Sequence, residues 1–293
     1  MAFPSADTVV TYPAGDLSGT ATVLYSEKAD DSLTAVLLDA TPCHPVDAAW
    51  PDQGPDLAML TWPGGSSAVR DCVVGATDGA ALYLGKDIPV RRDIASSGTT
   101  GWTFVVAHLV TEAPAAGQRV TVSVDPRHRS ALSLGHTGCH LAALALNLAM
   151  ADRWTKELPL DGLGTPNFDA AAIASSRILP RGSVDTYRLN KSLRRKGFVT
   201  DGLPEALSAL QETLNACLTS WIATDAPVRI DRDGDRLTDR RSWVCTLPEG
   251  EVSIPCGGTH ASALTQLGAL RAALTLSDDS GTAVLTMTTG VVS

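Results

Sequence analysis

The sequence has no apolar run near the roughly 20 residues that a membrane-crossing helix needs. Its start, MAFPSADTVVTYPAGDLSG, has no basic head followed by an apolar core, so it does not read as a secretory signal. G-x-S-x-G elbows, P-loops and dinucleotide glycine motifs are absent, which removes the usual signatures of serine hydrolases, NTPases and nicotinamide enzymes. There is no internal repeat and no low-complexity tract. Positive charge is scarce: 23 Lys and Arg face 32 Asp and Glu, for a formal net charge of −9. That balance argues against DNA as a partner but allows a local basic patch. The expectation is a cytoplasmic protein without a membrane partner.

What is present suits a well-packed globule. The 293 residues are 44% hydrophobic and 19% charged, enough for two modest domains or one large one. Six cysteines (43, 72, 139, 217, 245, 256) are an even number. In a reducing compartment they read as small buried residues rather than disulfides, unless histidines stand beside them.

Residues 1–124 carry short β-branched or alternating segments: TATVLYS, LTAVLLDAT, DLAMLTW, AALYL, GWTFVVAHLV and QRVTVSV. Their close spacing between Gly, Pro, Asp and Ser predicts a small barrel or sandwich. The pattern changes at Asp125. Residues 125–293 offer a helix around His136, a second over GLPEALSALQETLNACLTSWIAT, and strands at APVRI, RSWVCTL, GALRAALTL and GTAVLTMTT. Such grouping predicts an α+β layer, helices packed on an antiparallel sheet. Residues 155–185, rich in Pro and Gly, read as a long excursion. DRDGDRLTD (Asp231 to Asp239) resembles a calcium loop, but Gly234 is fourth rather than sixth and Ser242 replaces the closing Glu, so an Asp-Gly hairpin turn is the expected structure.

Two of the six histidines lie four apart in HTGCHLAALALN. On a helix, His136 and His140 share a face, with Leu141, Leu144, Ala145 and Leu148 giving the rhythm of one buried side. The pair reads either as a metal half-site or as polar residues where a core begins. A second pair, Cys256 and His260, brackets Gly257 and Gly258 in IPCGGTHAS, where positive φ at the glycines would turn both side chains inward. Thiolate and neutral imidazole are preferred zinc ligands. Cys139 lies toward the flank of the helix. His44, His108 and His128 have no comparable partners and read as ordinary surface or core residues.

HxxxH followed far downstream by CGGTH resembles the alanyl-tRNA editing family: the editing domain of alanyl-tRNA synthetase and its free-standing relatives. VDPRHRSALSLGHTGCHLAALALN is similar to the family's entry into the HTxxH helix, and DATPCHPVDAAWPDQG to its N-terminal signature. The resemblance spans most of the chain. It implies a β-barrel domain followed by an α+β editing domain, and one Zn²⁺ per chain held by His136, His140, Cys256 and His260. The expected catalytic group is a metal-bound water held by His136, His140 and Cys256, with His260 loose or displaced because four protein ligands would close the site; zinc gripping the substrate amine or carbonyl, or help from the ribose 2′-hydroxyl, are the alternatives. Thr41 aligns with a threonine that meets the hydroxyl of a bound serine moiety, and Gly257, Gly258 and Thr259 fall where they would line the pocket. The synthetase's other modules have no counterpart here. The chain departs from the family at its Gly-Gly-Gln, where Asp47, Ala48, Ala49 and Trp50 stand, and at an aromatic pair replaced by Cys43 and His44.

The implied activity is a metal-dependent hydrolase acting on aminoacyl-tRNA esters in trans: removal of serine, or glycine, from tRNA-Ala. The altered loop also suits threonine analogues on tRNA-Thr, as in the fluorothreonyl-tRNA deacylase variant of this family. Two further classes stay open: a zinc-stabilised tRNA-binding module without hydrolysis, and a general esterase. A basic segment, YRLNKSLRRKG, offers Lys191, Arg194, Arg195 and Lys196 either to tRNA phosphates or to solvent as an ordinary helix face.

Overall fold

The computed structural model describes residues 2–90 and 101–292. They form two compact units. The first is drawn from residues 1–129, 232–241 and 257–259; the second from 130–231, 242–256 and 260–293.

In the first unit the strands are β1 (Val9–Val10), β2 (Ser18–Lys28), β3 (Thr34–Leu38), β4 (Ala40–Thr41), β5 (Ala58–Trp62), β6 (Gly65–Thr77), β7 (Leu82–Leu84), β8 (Thr103–Val110) and β9 (Arg119–Val124). Six pair antiparallel in the order β5-β9-β2-β3-β8-β6, and β5 also pairs with β6. That last pairing closes a barrel, the arrangement that leaves no sheet edge to template aggregation. β7 extends from β6, and β1 pairs with β4 in parallel. Alternation appears where one face is wet: Val120, Val122 and Val124 of β9 are buried while their neighbours are not. β8 is buried almost throughout, because Phe104 and Val106 face the barrel core while Val105 and Ala107 join a second cluster with Ala35 and Leu37. The longest barrel strand, β6, was not expected from the sequence. Its Arg70-Asp71 pair interrupts the alternation, and the register with β8 shifts between Val69 and Asp71, so period-2 reading fails there.

The remaining elements are α1 (Pro126–Ala149), α2 (Phe168–Ala172), β10 (Ile173–Leu179), β11 (Gly182–Arg188), α3 (Lys191–Arg195), α4 (Leu203–Ile222), β12 (Val228–Arg232), β13 (Arg241–Leu247), β14 (Gly250–Pro255), β15 (Ala269–Asp279) and β16 (Thr282–Val292). Two sheets result, β10-β11-β16-β15 and β12-β13-β14. The chain is therefore mixed α+β with a closed barrel. The second unit's core centres on Leu141, Leu146, Trp221, Trp243 and Leu264. Helix α4 packs on β15, where the Asn215 side chain accepts the Ala272 N–H and donates to the Ala272 carbonyl.

Helix α1 begins at Pro126, preceded by Asp125, whose carboxylate accepts the Arg127 and His128 amides at 2.8 and 3.1 Å. One buried face was expected, but Leu132 through Cys139 are all buried. Gly135 and Gly138 explain how. A Cβ at 135 would sit 2.6 Å from the Gly182 carbonyl oxygen and would also strike that of Leu179; one at 138 would lie 3.0 Å from Leu270. Both glycines let strands approach the helix closely.

The expected excursion over 155–185 is a loop only in its first part. Asp161 organises that loop, accepting the Leu163 and Thr165 amides, each at 2.9 Å. The rest is α2 and the β10–β11 hairpin, whose strands carry many polar residues and so lack a hydrophobic signature. The segment 231–239 does join the neighbouring strands β12 and β13, as a hairpin would, but through a longer loop than an Asp-Gly turn. Residues 232–241 belong to the first unit, where Val10 donates to the Asp235 carbonyl, Leu237 to that of Thr8, and Leu237 is buried. No helix among the described residues is long and apolar enough to cross a membrane.

Candidate metal centre

His136, His140, Cys256 and His260 all lie in the second unit and bring one donor atom each within 4.8 Å of one another. Helix α1 supplies two, one turn apart, with ring centroids 4.9 Å from each other. Cys256 follows the last residue of β14, so the strand end delivers its sulfur. That sulfur is 3.4 Å from His136 Nε2 and 3.2 Å from His260 Nε2. The His260 ring lies 4.3 Å from that of His136 and stacks on that of His140 at 5.0 Å. Trp243 of β13 walls the cluster, 5.3 Å from the His140 ring.

The donor chemistry fits zinc. Burial pushes His140 down to about 4, so its imidazole is neutral and has a lone pair to give. Its Nε2 is buried without a hydrogen-bond partner, a costly state unless a cation meets it. His260 Nδ1 lies 3.3 Å from the Thr137 hydroxyl, which also accepts the Ala261 N–H at 3.0 Å. That contact orients the ring so that Nε2 faces the Cys256 sulfur. Thr137 lies inside the HxxxH spacing, where a lone threonine gives no signal of its own.

Cys139 turns away from this group and donates to Asp185 at 3.5 Å; burial raises its thiol well above the ordinary value. Gly257 and Gly258 do not take the expected positive φ. Gly257 is exposed, with open space where a Cβ would be, whereas Gly258 and Thr259 are buried. Thr259 is fixed by Gln53, which carries no motif of its own in the sequence: the two residues share two hydrogen bonds within the first unit.

Thr41 is buried in the first unit, and its hydroxyl is engaged by His108 Nε2 at 2.9 Å and the Cys43 amide at 3.1 Å. His44 and His108 are core residues. Burial holds His44 down to about 4. Lys191, Arg194, Arg195 and Lys196 are all exposed on or just after the single turn of α3, which Asn190 caps and Leu193 anchors. Arg194 donates to the Leu189 carbonyl, and Lys196 Nζ lies 3.5 Å from that of Ala171. The neighbouring Arg188 pairs with Asp279.

Compared with protein-family models and with curated proteins, the chain matches none.

Proposed function

We propose that this chain belongs to the alanyl-tRNA editing family and is a metal-dependent aminoacyl-tRNA deacylase. The observation that carries the reading is the convergence of His136, His140, Cys256 and His260, two sequence-distant pairs, on one small volume. The order and spacing HxxxH and CGGTH resemble that family, and the donor set suits zinc. Bound zinc would supply a Lewis acid for the substrate's ester carbonyl or amine.

In the reaction, water adds to the ester carbonyl carbon, the bond to the ribose oxygen breaks, and that oxygen takes a proton. The chain's own part is positioning. Neutral His140 offers no competing charge, Thr137 fixes the face of His260, and Trp243 excludes water from one side of the cluster. The exposed cations of α3 suit tRNA phosphates, whose contacts are largely electrostatic.

The preferred substrate class is a small β-hydroxy amino acid, serine on tRNA-Ala. A second reading, a threonine analogue such as fluorothreonine on tRNA-Thr, rests on the loop at Asp47–Trp50. There Trp50 is 67% exposed, and its indole donates to Asp52 where the family carries small residues. The hydroxyl role inferred for Thr41 would require breaking its bond to His108.

The test is ester loss from seryl-, glycyl- and alanyl-tRNA(Ala) and from threonyl- and fluorothreonyl-tRNA(Thr). Expected is hydrolysis of one mischarged class, abolished in His140→Ala. Folded, zinc-loaded protein that binds these tRNAs and cleaves none would make it a binding module. Cleavage of simple esters without tRNA would make it a general esterase.

A further inference from the structure

The first unit holds a separate group of soft donors. Cys43, Cys72 and His108 bring one donor atom each within 4.8 Å of one another, and all three are fully buried. They arrive from different parts of the barrel. Cys72 of β6 and His108 of β8 are direct cross-strand partners, so their side chains share a face. Cys43 follows β4, and its segment is tied to β6 by the Val46 amide, which donates to the Cys72 carbonyl at 2.8 Å.

The orientation of His108 is the informative part. Its Nδ1 lies 3.2 Å from the Val36 carbonyl, which can only accept, so Nδ1 carries the proton and Nε2 presents a lone pair. An imidazole anchored to a carbonyl through one nitrogen, with the other turned toward thiols, is the usual posture of a metal-binding histidine. Thr41 Oγ1 stands 2.9 Å from that Nε2 and accepts the Cys43 amide, so a hydroxyl is fixed at the same place.

We propose that Cys43, Cys72 and His108, with the Thr41 hydroxyl as fourth donor, form a second zinc site inside the barrel. Charge selects the ion. Two thiolates, a neutral imidazole and a hydroxyl around a divalent cation give zero net charge, whereas a monovalent soft ion leaves one negative charge in a fully buried pocket. Binding releases the two thiol protons to solvent and needs no oxidant. With no exposed ligand, the ion enters as the barrel forms, so zinc and folding are coupled. The site ties β6, β8 and the chain after β4 together, and it stands whether or not the protein is a deacylase.

The test is zinc per chain in the full-length protein produced with added zinc and then desalted. Wild type is expected to hold two, His140→Ala one, Cys72→Ser one, and the double variant none. Zinc-edge X-ray absorption on wild type needs no variant: three sulfurs shared between two zincs are expected, against one sulfur on one zinc if only the first centre exists. Cobalt grown into a His136→Ala, Cys256→Ser background should show thiolate-to-metal absorption, lost again on His108→Gln. Zinc retained by Cys72→Ser at the wild-type level would overturn the proposal. So would a Cys43–Cys72 disulfide in the zinc-grown protein, seen as a mass lower by two hydrogens. Loss of zinc in His140→Ala alone bears on the first centre and leaves this site's outcome separate.

Discussion

Gln53 and Thr259, 206 residues apart in sequence, are joined by two hydrogen bonds. The Gln53 amide donates to the Thr259 hydroxyl at 2.9 Å, and Gln53 Oε1 accepts the Thr259 backbone N–H at 3.0 Å. Both residues are buried, and Thr259 immediately precedes His260. A single side chain therefore holds Thr259 through both its backbone and its hydroxyl.

Gln53→Ala should leave the Thr259 N–H and hydroxyl without these partners, at a cost of about 1–3 kcal/mol for a buried polar group. The expected outcome is a lower melting temperature and faster release of zinc to a chelator. Unchanged release would mean that the Cys256–His260 segment keeps its shape without Gln53.

Gly135 and Gly257 make opposite predictions, although both flank proposed zinc ligands. Alanine at 135 places its Cβ against the backbone carbonyls of Leu179 and Gly182, which cannot move as a side chain can. Destabilisation of about 1–3 kcal/mol or more is expected from such overpacking. Alanine at 257 meets open space, and the residue has no positive φ, so stability should stay within about 0.5 kcal/mol. Thermal melts of the two variants check both; equal losses would contradict the packing argument.

The contrast shows what was legible in the sequence. The His136–His140 pair was legible through spacing, because an i, i+4 pair on a helix shares a face whatever surrounds it, whereas Cys256 and His260 lie on no helix and joined them only through the family resemblance. The role of the glycines was not legible. Those of CGGTH look like turn residues yet use no unusual φ, while those of GHTG look incidental yet admit β10, β11 and Leu270. Apolar barrel strands such as β8 were readable, but β6, β10 and β11 were not, since polar residues break their alternation and the strands that hold β6 and β11, β8 and β16, lie far away in sequence. His108 looked ordinary for the same reason: its partners Cys72, Thr41 and Val36 are distant in sequence.

Arg129 and Asp56 form a buried two-point ion pair. Nε donates to Oδ1 at 2.8 Å, Nη2 donates to Oδ2, and Nη2 also donates to the Pro42 carbonyl at 2.7 Å. Asp56 Oδ2 accepts the His44 amide at 2.6 Å as well. Removing one partner strands a buried charge, so Arg129→Met or Asp56→Asn should each cost about 3–5 kcal/mol. The double variant should lose less than the sum, and urea unfolding of all four proteins measures that coupling. Simple additivity would show that the pair does not act as a unit.

Asp169, in the first turn of α2, supplies a pH signature. Burial raises its carboxyl to about 6, against an opposing hydrogen bond from the Tyr187 hydroxyl at 3.0 Å; the charge of Asp185 raises it further. The folded-state value lies above the unfolded value of 3.8, so the folded protein binds this proton more tightly. Its contribution is complete below pH 3.8 and is lost as pH rises through about 6. Above that, the ionised carboxylate costs the fold about 2–3 kcal/mol, since each tenfold gain in proton affinity is worth about 1.36 kcal/mol. Asp169→Asn keeps an acceptor for Tyr187 and removes the charge. The variant should therefore match wild type near pH 4 and gain melting temperature progressively up to about pH 7, where the difference levels off. A constant difference across that range would show that Asp169 does not titrate in the fold as its surroundings require.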